Sequence, residues 1–575
     1  MNLRVINAML LCGPLLFAGC ATTTQEQTAD KPDSVVLPFE SPEAPMDELD
    51  ADAVFSALVG EIATQRGDLE TAYRHQLQTA VITGDAQAAE RATRIALAVK
   101  RRDLALRAVK EWVRLAPNEV PARQLAVMLF LDDNQPEKVT ENIQAILAVA
   151  DSTGKDGFLL VMAALSKSRE RDAGMRLMRQ LAEAHPQDPR AGYATARLAL
   201  GWKQNQVAEK EIRDVIGRHP KWGRAYVLLS RILVMKGDKD GALAVLEKAA
   251  AKIPKDPTVN IALAKLLVDK GDYEKAYRQF LKVQRLTPED PDIIYSLGVL
   301  AVQLDKPEVA RRHFLQLRQN GEMPDQTSYY LGRLDEEKGK PDSAISFYEQ
   351  VGNGELRYEA QIRITRILAD QGRLDEARDR VRQLRFEMPE HSPQLYLAEA
   401  ELMRKEVSDG EVMALYDKAL AAHPDDISIL YARALFAVSI GRMDILEKDL
   451  RRVLELDPEN VDALNALGYS LADQTDRYQE AAAYIKKAYA LRPGEPAILD
   501  SMGWLEYRLG NYGEALGYLQ QAMDKMPDSE IAAHLGEVLW VTGDRQQALK
   551  VWNRMLKKDP DSRHVRETRK RLTGN

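Results

Sequence analysis

Three groups of residues have side-chain types and spacings that could do chemistry. Ser152-Thr153-Gly154-Lys155 has the Ser-x-x-Lys spacing of a serine nucleophile paired with a lysine base. It stands without the companion motifs that such a site needs, in what reads as a loop between structural units. The paired carboxylates Glu336-Glu337 and Asp425-Asp426 could share a proton, but the patterning around them places both on solvated faces or loops. His185, His219 and His423 each directly precede a proline. That position suits an imidazole at a helix C-terminus, where partial positive charge is favoured. The eight histidines are scattered, without metal-ligand spacing. No His-Glu-x-x-His, Cys-x-x-Cys, Gly-Lys-Ser/Thr loop or Gly-x-Ser-x-Gly elbow is present. The expectation is a protein that is not an enzyme, with no cofactor and no metal site.

The two cysteines, Cys12 and Cys20, both fall in the first 20 residues. Arg4 precedes a mostly apolar stretch of 13 residues, Val5 to Phe17, too short to span a bilayer as a helix. It runs into Leu16-Phe17-Ala18-Gly19-Cys20, which resembles the bacterial lipobox, with Phe17 where that pattern usually has Leu. The resemblance implies a signal peptide over 1–19, cleaved before Cys20, and a lipid on Cys20. An ordinary cleaved secretory signal and an uncleaved apolar tail are the other readings. Residue 21 is Ala rather than the Asp of inner-membrane retention, so the implied location is the outer membrane, lipid-anchored and facing the periplasm. The mature chain would then carry no free thiol, which suits an oxidising compartment. Residues 20–50, polar and rich in proline, read as a disordered tether.

The elements behind these residues follow from a period. Pro186, Pro220, Pro254 and Pro288 are each 34 residues apart, and Pro424, Pro458, Pro493, Pro527 and Pro560 continue at 33–35. Fifteen units begin near 53, 86, 120, 155, 189, 223, 257, 291, 325, 358, 392, 427, 461, 496 and 529. Eight have glycine at position 15, from Gly67 to Gly543, which suits the left-handed residue ending a first helix, A. Ten have alanine at position 20, from Ala72 to Ala548, where a small side chain lets a second helix, B, approach closely. The proline near position 32 ends helix B. Asp188-Pro189, Asp256-Pro257 and Asp290-Pro291 supply an N-cap and a first helical residue for the next helix A. Neither helix can bury its apolar stripe alone, so the units must stack. The net charge of −8 argues against nucleic acid as the main partner. The basic run Arg563, Arg566, Arg569, Lys570 and Arg571 reads as a capping helix over 563–575, closing a repeat region of 51–562.

These marks resemble the tetratricopeptide repeat. In the unit from 496 they are Met502, Gly503, Ala515, Leu519, Ala522 and Pro527. In the unit from 257 they are Leu263, Ala264, Ala276, Phe280, Val283 and Pro288. The resemblance implies an all-α, right-handed superhelical solenoid of about 15 helix-turn-helix repeats, with slips near 320–357 and 403–412 where a kink or a partner's footprint is expected. Ala463 to Asp473, Ile498 to Trp504 and Glu530 to Trp540 further resemble the last repeats of large proteobacterial lipoproteins, including the LbcA-type adaptor of a periplasmic carboxyl-terminal processing protease. That likeness implies a scaffold for periplasmic proteins, namely a PDZ-type serine protease and its peptidoglycan-hydrolase substrates. A scaffold for pilus assembly or polysaccharide export is the alternative.

In such a fold helix A lines the binding surface through positions 2, 5, 9 and 12. The candidate groove residues are therefore Asn465, Tyr469, Asp500, Trp504, Tyr507, Glu537 and Trp540, joined by Asp462 and Glu530. Aromatic rings beside carboxylates suit a segment carrying basic and apolar groups. Trp504 and Trp540 at this spacing could equally pack between adjacent A helices.

Overall fold

The computed structural model describes residues 51–352, 354–404 and 406–574. The expected signal, Cys20 and the whole of the tether lie outside the described residues. Within them the chain is helical throughout, without a strand. The A helices of the first eight repeats are Ala51–Arg66, Ala86–Ala98, Val120–Asp132, Gly157–Leu165, Pro189–Gly201, Gly223–Met235, Pro257–Asp269 and Pro291–Gln303. Those of the last seven are Pro324–Glu337, Gly354–Asp370, Ser392–Met403, Ile427–Ser439, Val461–Gln474, Pro496–Arg508 and Ser529–Val541. Each is followed by a B helix, and Arg563–Thr573 closes the series. This is an all-α solenoid of fifteen helix pairs.

The sequence marks act as their chemistry requires. All eight glycines at position 15 have positive φ, between 67° and 98°. The ten alanines at position 20 are fully buried. Asp188, Asp256 and Asp290 each accept a hydrogen bond from the backbone two residues on, at 2.8–3.0 Å. Close approach of B to A is enforced at position 8: a Cβ on Gly503 would sit 2.6 Å from Leu519 Cγ, and one on Gly298 would sit 2.7 Å from Phe314 Cε1. His185, His219 and His423 occupy the residue just past a B helix.

Two sequence expectations need correction. Ser152 and Thr153 are not in a loop: Pro136–Thr153 runs on for 18 residues because Ile146 and Ala150 continue its apolar face, and both hydroxyls bond back to the carbonyl of Val149. Glu336 does not lie on a solvated face. It accepts from the Tyr348 hydroxyl at 2.6 Å and pairs with Arg363 at 3.0 Å and with Arg366. Burial alone would push its carboxyl up, but the Tyr348 hydrogen bond and the two guanidinium groups outweigh this and hold it below the usual range. The B helix here, Pro341–Tyr348, has only 8 residues where its neighbours have 13 or 14, which is the irregularity expected near 320–357.

The chain divides into two compact units at Met323 and Pro324. In the first, a continuous apolar cluster runs from Tyr73 to Leu300. The outward face of its first helix shows Phe55, Leu58 and Ile62 at 60%, 59% and 47% exposure. The second unit holds several smaller apolar clusters. Its last helix, Arg563–Thr573, packs on the fifteenth A helix through the fully buried Val565.

Candidate partner-binding groove

The groove is built on the A helices of repeats twelve to fifteen, Ile427–Ser439 to Ser529–Val541. Gly468, Gly503 and Gly536 let the following B helices seat tightly against one side of these helices: added Cβ atoms would meet Ile485, Leu519 and Trp552 within 2.6 Å. The other side of each A helix then faces the next A helix and the open groove.

Three of the expected residues meet in one polar chain. His534 Nδ1 lies 3.0 Å from both carboxylate oxygens of Asp500, and its Nε2 lies 3.3 Å from the Tyr469 hydroxyl. That hydroxyl donates to Glu530 at 2.9 Å. With its proton on Glu530, that hydroxyl turns a lone pair toward Nε2, an arrangement that favours the protonated imidazole. Burial would by itself lower its pKa; the Asp500 charge and hydrogen bond, reinforced by Glu530 and Asp473, outweigh burial and raise it. Burial, then the charges of Glu530, Asp473 and Asp500, push the Tyr469 phenol far above its ordinary value. The Trp504 indole stacks on His534 with ring centres 4.2 Å apart and donates to Asp473 at 3.0 Å. At 6% exposure it packs between A helices.

A second group forms one repeat along. The Tyr507 hydroxyl donates to Glu537 at 3.2 Å, and Arg571 of the last helix pairs with the other oxygen of the same carboxylate. Burial and then the Glu537 charge push the Tyr507 phenol up to about 12. Trp540 joins neither group; it lies 5.8 Å from Trp552 with Arg545 over its face at 5.1 Å. Asp462 is exposed.

Beside the first group lies a hollow of about 280 Å³. Asn465, Tyr469, Asp500 and Glu530 line it with Asp528, and no lysine or arginine does. The Asn465 carbonyl oxygen is buried without a hydrogen-bond partner among the described residues. Leu435 and Met526, at 42% and 43% exposure, form apolar rims. The hollow can take a cationic group and an N–H donor, with apolar side chains at its margins. Among the described residues no cluster of three or more His, Cys, Asp or Glu is arranged to hold a metal, and no helix is long and apolar enough to cross a membrane.

His534 and Asp473 were not singled out by the sequence. The signal for His534 was available: it fills position 6 of its repeat, where the two preceding repeats have the small Ala466 and Ser501.

Residues 233–298 and 506–572 match one tetratricopeptide-repeat family, and 193–257 and 447–496 match another. The "TPR repeat-containing protein PA4667" of Pseudomonas aeruginosa is 45% identical over 194 residues, 34% of this chain and 33% of that protein. The chain thus matches about a third of that relative's length. Among solved structures, Pseudomonas aeruginosa pilF aligns at 20% identity over 38% of this chain and 97% of its own, with a TM-score of 0.30. The APC/C hetero-tetramer Cut9-Hcn1 aligns at 12% over 91% and 96%, with a TM-score of 0.33. Nothing functional follows from structural likeness at that level. The matched segments are tetratricopeptide repeats, a type that generally serves as a non-catalytic scaffold for protein–protein interaction.

Proposed function

We propose that this tetratricopeptide-repeat chain is a non-enzymatic, lipid-anchored scaffold of the outer membrane, facing the periplasm. Its groove holds a segment of a periplasmic partner, and the partner is a carboxyl-terminal processing protease that the scaffold brings to its cell-wall hydrolase substrates. The observation that carries the binding reading is the hollow beside Tyr469: three carboxylate residues, one orphaned amide oxygen and two exposed apolar rims, with no cation of its own lining it. A lysine or arginine of the partner meets Glu530 and Asp528, a backbone N–H meets Asn465, and apolar side chains rest on Leu435 and Met526. The anchor reading rests on Leu16-Phe17-Ala18-Gly19-Cys20. The identity of the partner rests on the resemblance of the last repeats to those of protease adaptors.

Affinity purification from envelopes tests this. Recovery of a PDZ-containing serine protease, lost in the Glu530→Lys variant, is the expected result. Recovery of pilus or polysaccharide-export components without a protease would replace the adaptor reading with the assembly one. Cys20→Ser should release the protein from membranes; unchanged membrane association would overturn the anchor.

A further inference from the structure

A second hollow, of about 500 Å³, opens on a different side of the second unit. It lies between the B helices Leu374–Glu387 and Asp409–Ala422 of the tenth and eleventh repeats, with the A helix Ser392–Met403 as its floor. At its edge Phe386 is 90% exposed, far more than any other large apolar residue described.

The floor is organised around one buried carboxylate. Glu399, whose side chain is 1% exposed, accepts from Arg382 at 2.8 Å and pairs with Arg385. The Arg385 guanidinium also covers the Tyr396 ring at 4.0 Å. Two guanidinium groups on one carboxylate leave an excess positive charge. Arg382 reaches the exposed Asp379 as well, at 3.3 Å, but Asp379 does not line the hollow. Lys418 on the far wall is exposed and forms no ion pair among the described residues. The lining thus presents Arg382, Arg385 and Lys418 against a single, sunken carboxylate, beside a bare aromatic ring.

A phenyl ring held out at 90% exposure loses the burial that most rings of its kind obtain. A cationic rim around a concave floor discriminates by charge and shape together. We propose that this hollow is a docking site for an acidic segment of a partner protein that carries a large apolar side chain. The apolar side chain covers Phe386, and the carboxylates meet Lys418 and the outer edge of Arg382. The site is separate from the A-helix groove and opposite to it in charge, so it does not rest on the function proposed above. A membrane surface fits less well: interfacial binding needs several apolar side chains on one protruding face, whereas here one ring stands beside a concavity.

The test uses the full chain with a fluorescein-labelled dodecapeptide of alternating Asp and Glu around two Leu and one Phe. Its charge-reversed lysine counterpart and phosphatidylglycerol vesicles serve as competing probes. Saturable binding of the acidic peptide is expected. Phe386→Ala and Lys418→Glu should each weaken it at least tenfold, with unchanged circular dichroism because both positions are exposed, and Glu530→Gln in the other groove should leave it unaltered. Absence of acidic-peptide binding by the native chain overturns the proposal, as does binding that both variants retain. Vesicle binding abolished by those variants, without peptide binding, assigns the face to a lipid surface and overturns it too.

Discussion

The two units are built from the same repeat but bury different chemistry. The polar residues buried as a whole in the first, from Ser56 to Gln279, are all uncharged, though the Asp132 side chain, 5% exposed, pairs with Arg102. In the second, Arg333, Asp335, Glu399, Asp449, Asp500, Glu506, His534 and Glu537 are all buried. An apolar joint is held by area removed from water, which is non-directional and insensitive to pH. A joint held by buried ion pairs is specific in partner and geometry, and fails sharply when one member is lost. The contrast shows that repeat geometry leaves the choice of cement open. The joints of the first unit are mostly of one apolar kind. The second has joints that are individually addressed, and both proposed binding surfaces lie there.

The largest expected effect breaks this contrast at its strongest point. Arg433 grips Asp449 with two bonds of 2.7 Å, and Asp449 is 1% exposed. Asp449→Ala leaves a guanidinium without its buried partner and should cost about 3–5 kcal/mol. The counterpart in the first unit, Asn260→Ala, removes a neutral hydrogen bond from Gln279 and should cost about 1–3 kcal/mol. Urea unfolding followed by far-UV circular dichroism checks both. Equal losses would remove the distinction between the units.

The next effect concerns pH. The folded pKa of His534 is raised, so its stabilising contribution is full below its unfolded value near 6.5 and is lost as pH rises through the folded value. Hydrogen exchange in Ser529–Val541 should therefore accelerate above pH 6.5, after correction for intrinsic rates. His534→Gln should abolish that dependence. Protection in Pro257–Asp269, where Asn260 and Gln279 are neutral, should stay flat across the same range.

The smallest effect sharpens the comparison at the turns. Lys100, Asn134, Lys203 and Asp305 adopt positive φ at position 15, and all four belong to the first unit; in the second, the positive-φ residues at that position are glycines. Lys203→Gly should stabilise by about 0.5–1 kcal/mol and Gly510→Ala should destabilise by about as much. Midpoints of urea unfolding distinguish the two signs.

The repeat was legible in the sequence because its marks are local. Gly67 reports a left-handed turn and Ala72 a close crossing, and neither depends on distant residues. Lys203 in the same turn conformation was not legible, because stacking forces that geometry on a residue that disfavours it. The groove residues were legible as a set, since position within the repeat selects them. What each does was not. Trp504 and Asp500 turn into the stack because His534, 30 and 34 residues further on, supplies a ring to stack on and a proton to donate. Within a single repeat that pairing leaves one trace, the bulk of His534 at position 6. Glu336 was misplaced for the same reason: its partners Arg363 and Arg366 come from the next repeat.

The helix Arg563–Thr573 caps the fifteenth repeat. It covers that repeat's apolar face with Val565 and is tied down by Arg571 on Glu537. Its eleven residues stand in for the A helix of a further repeat and seal the face that the fifteenth A helix would otherwise turn to solvent.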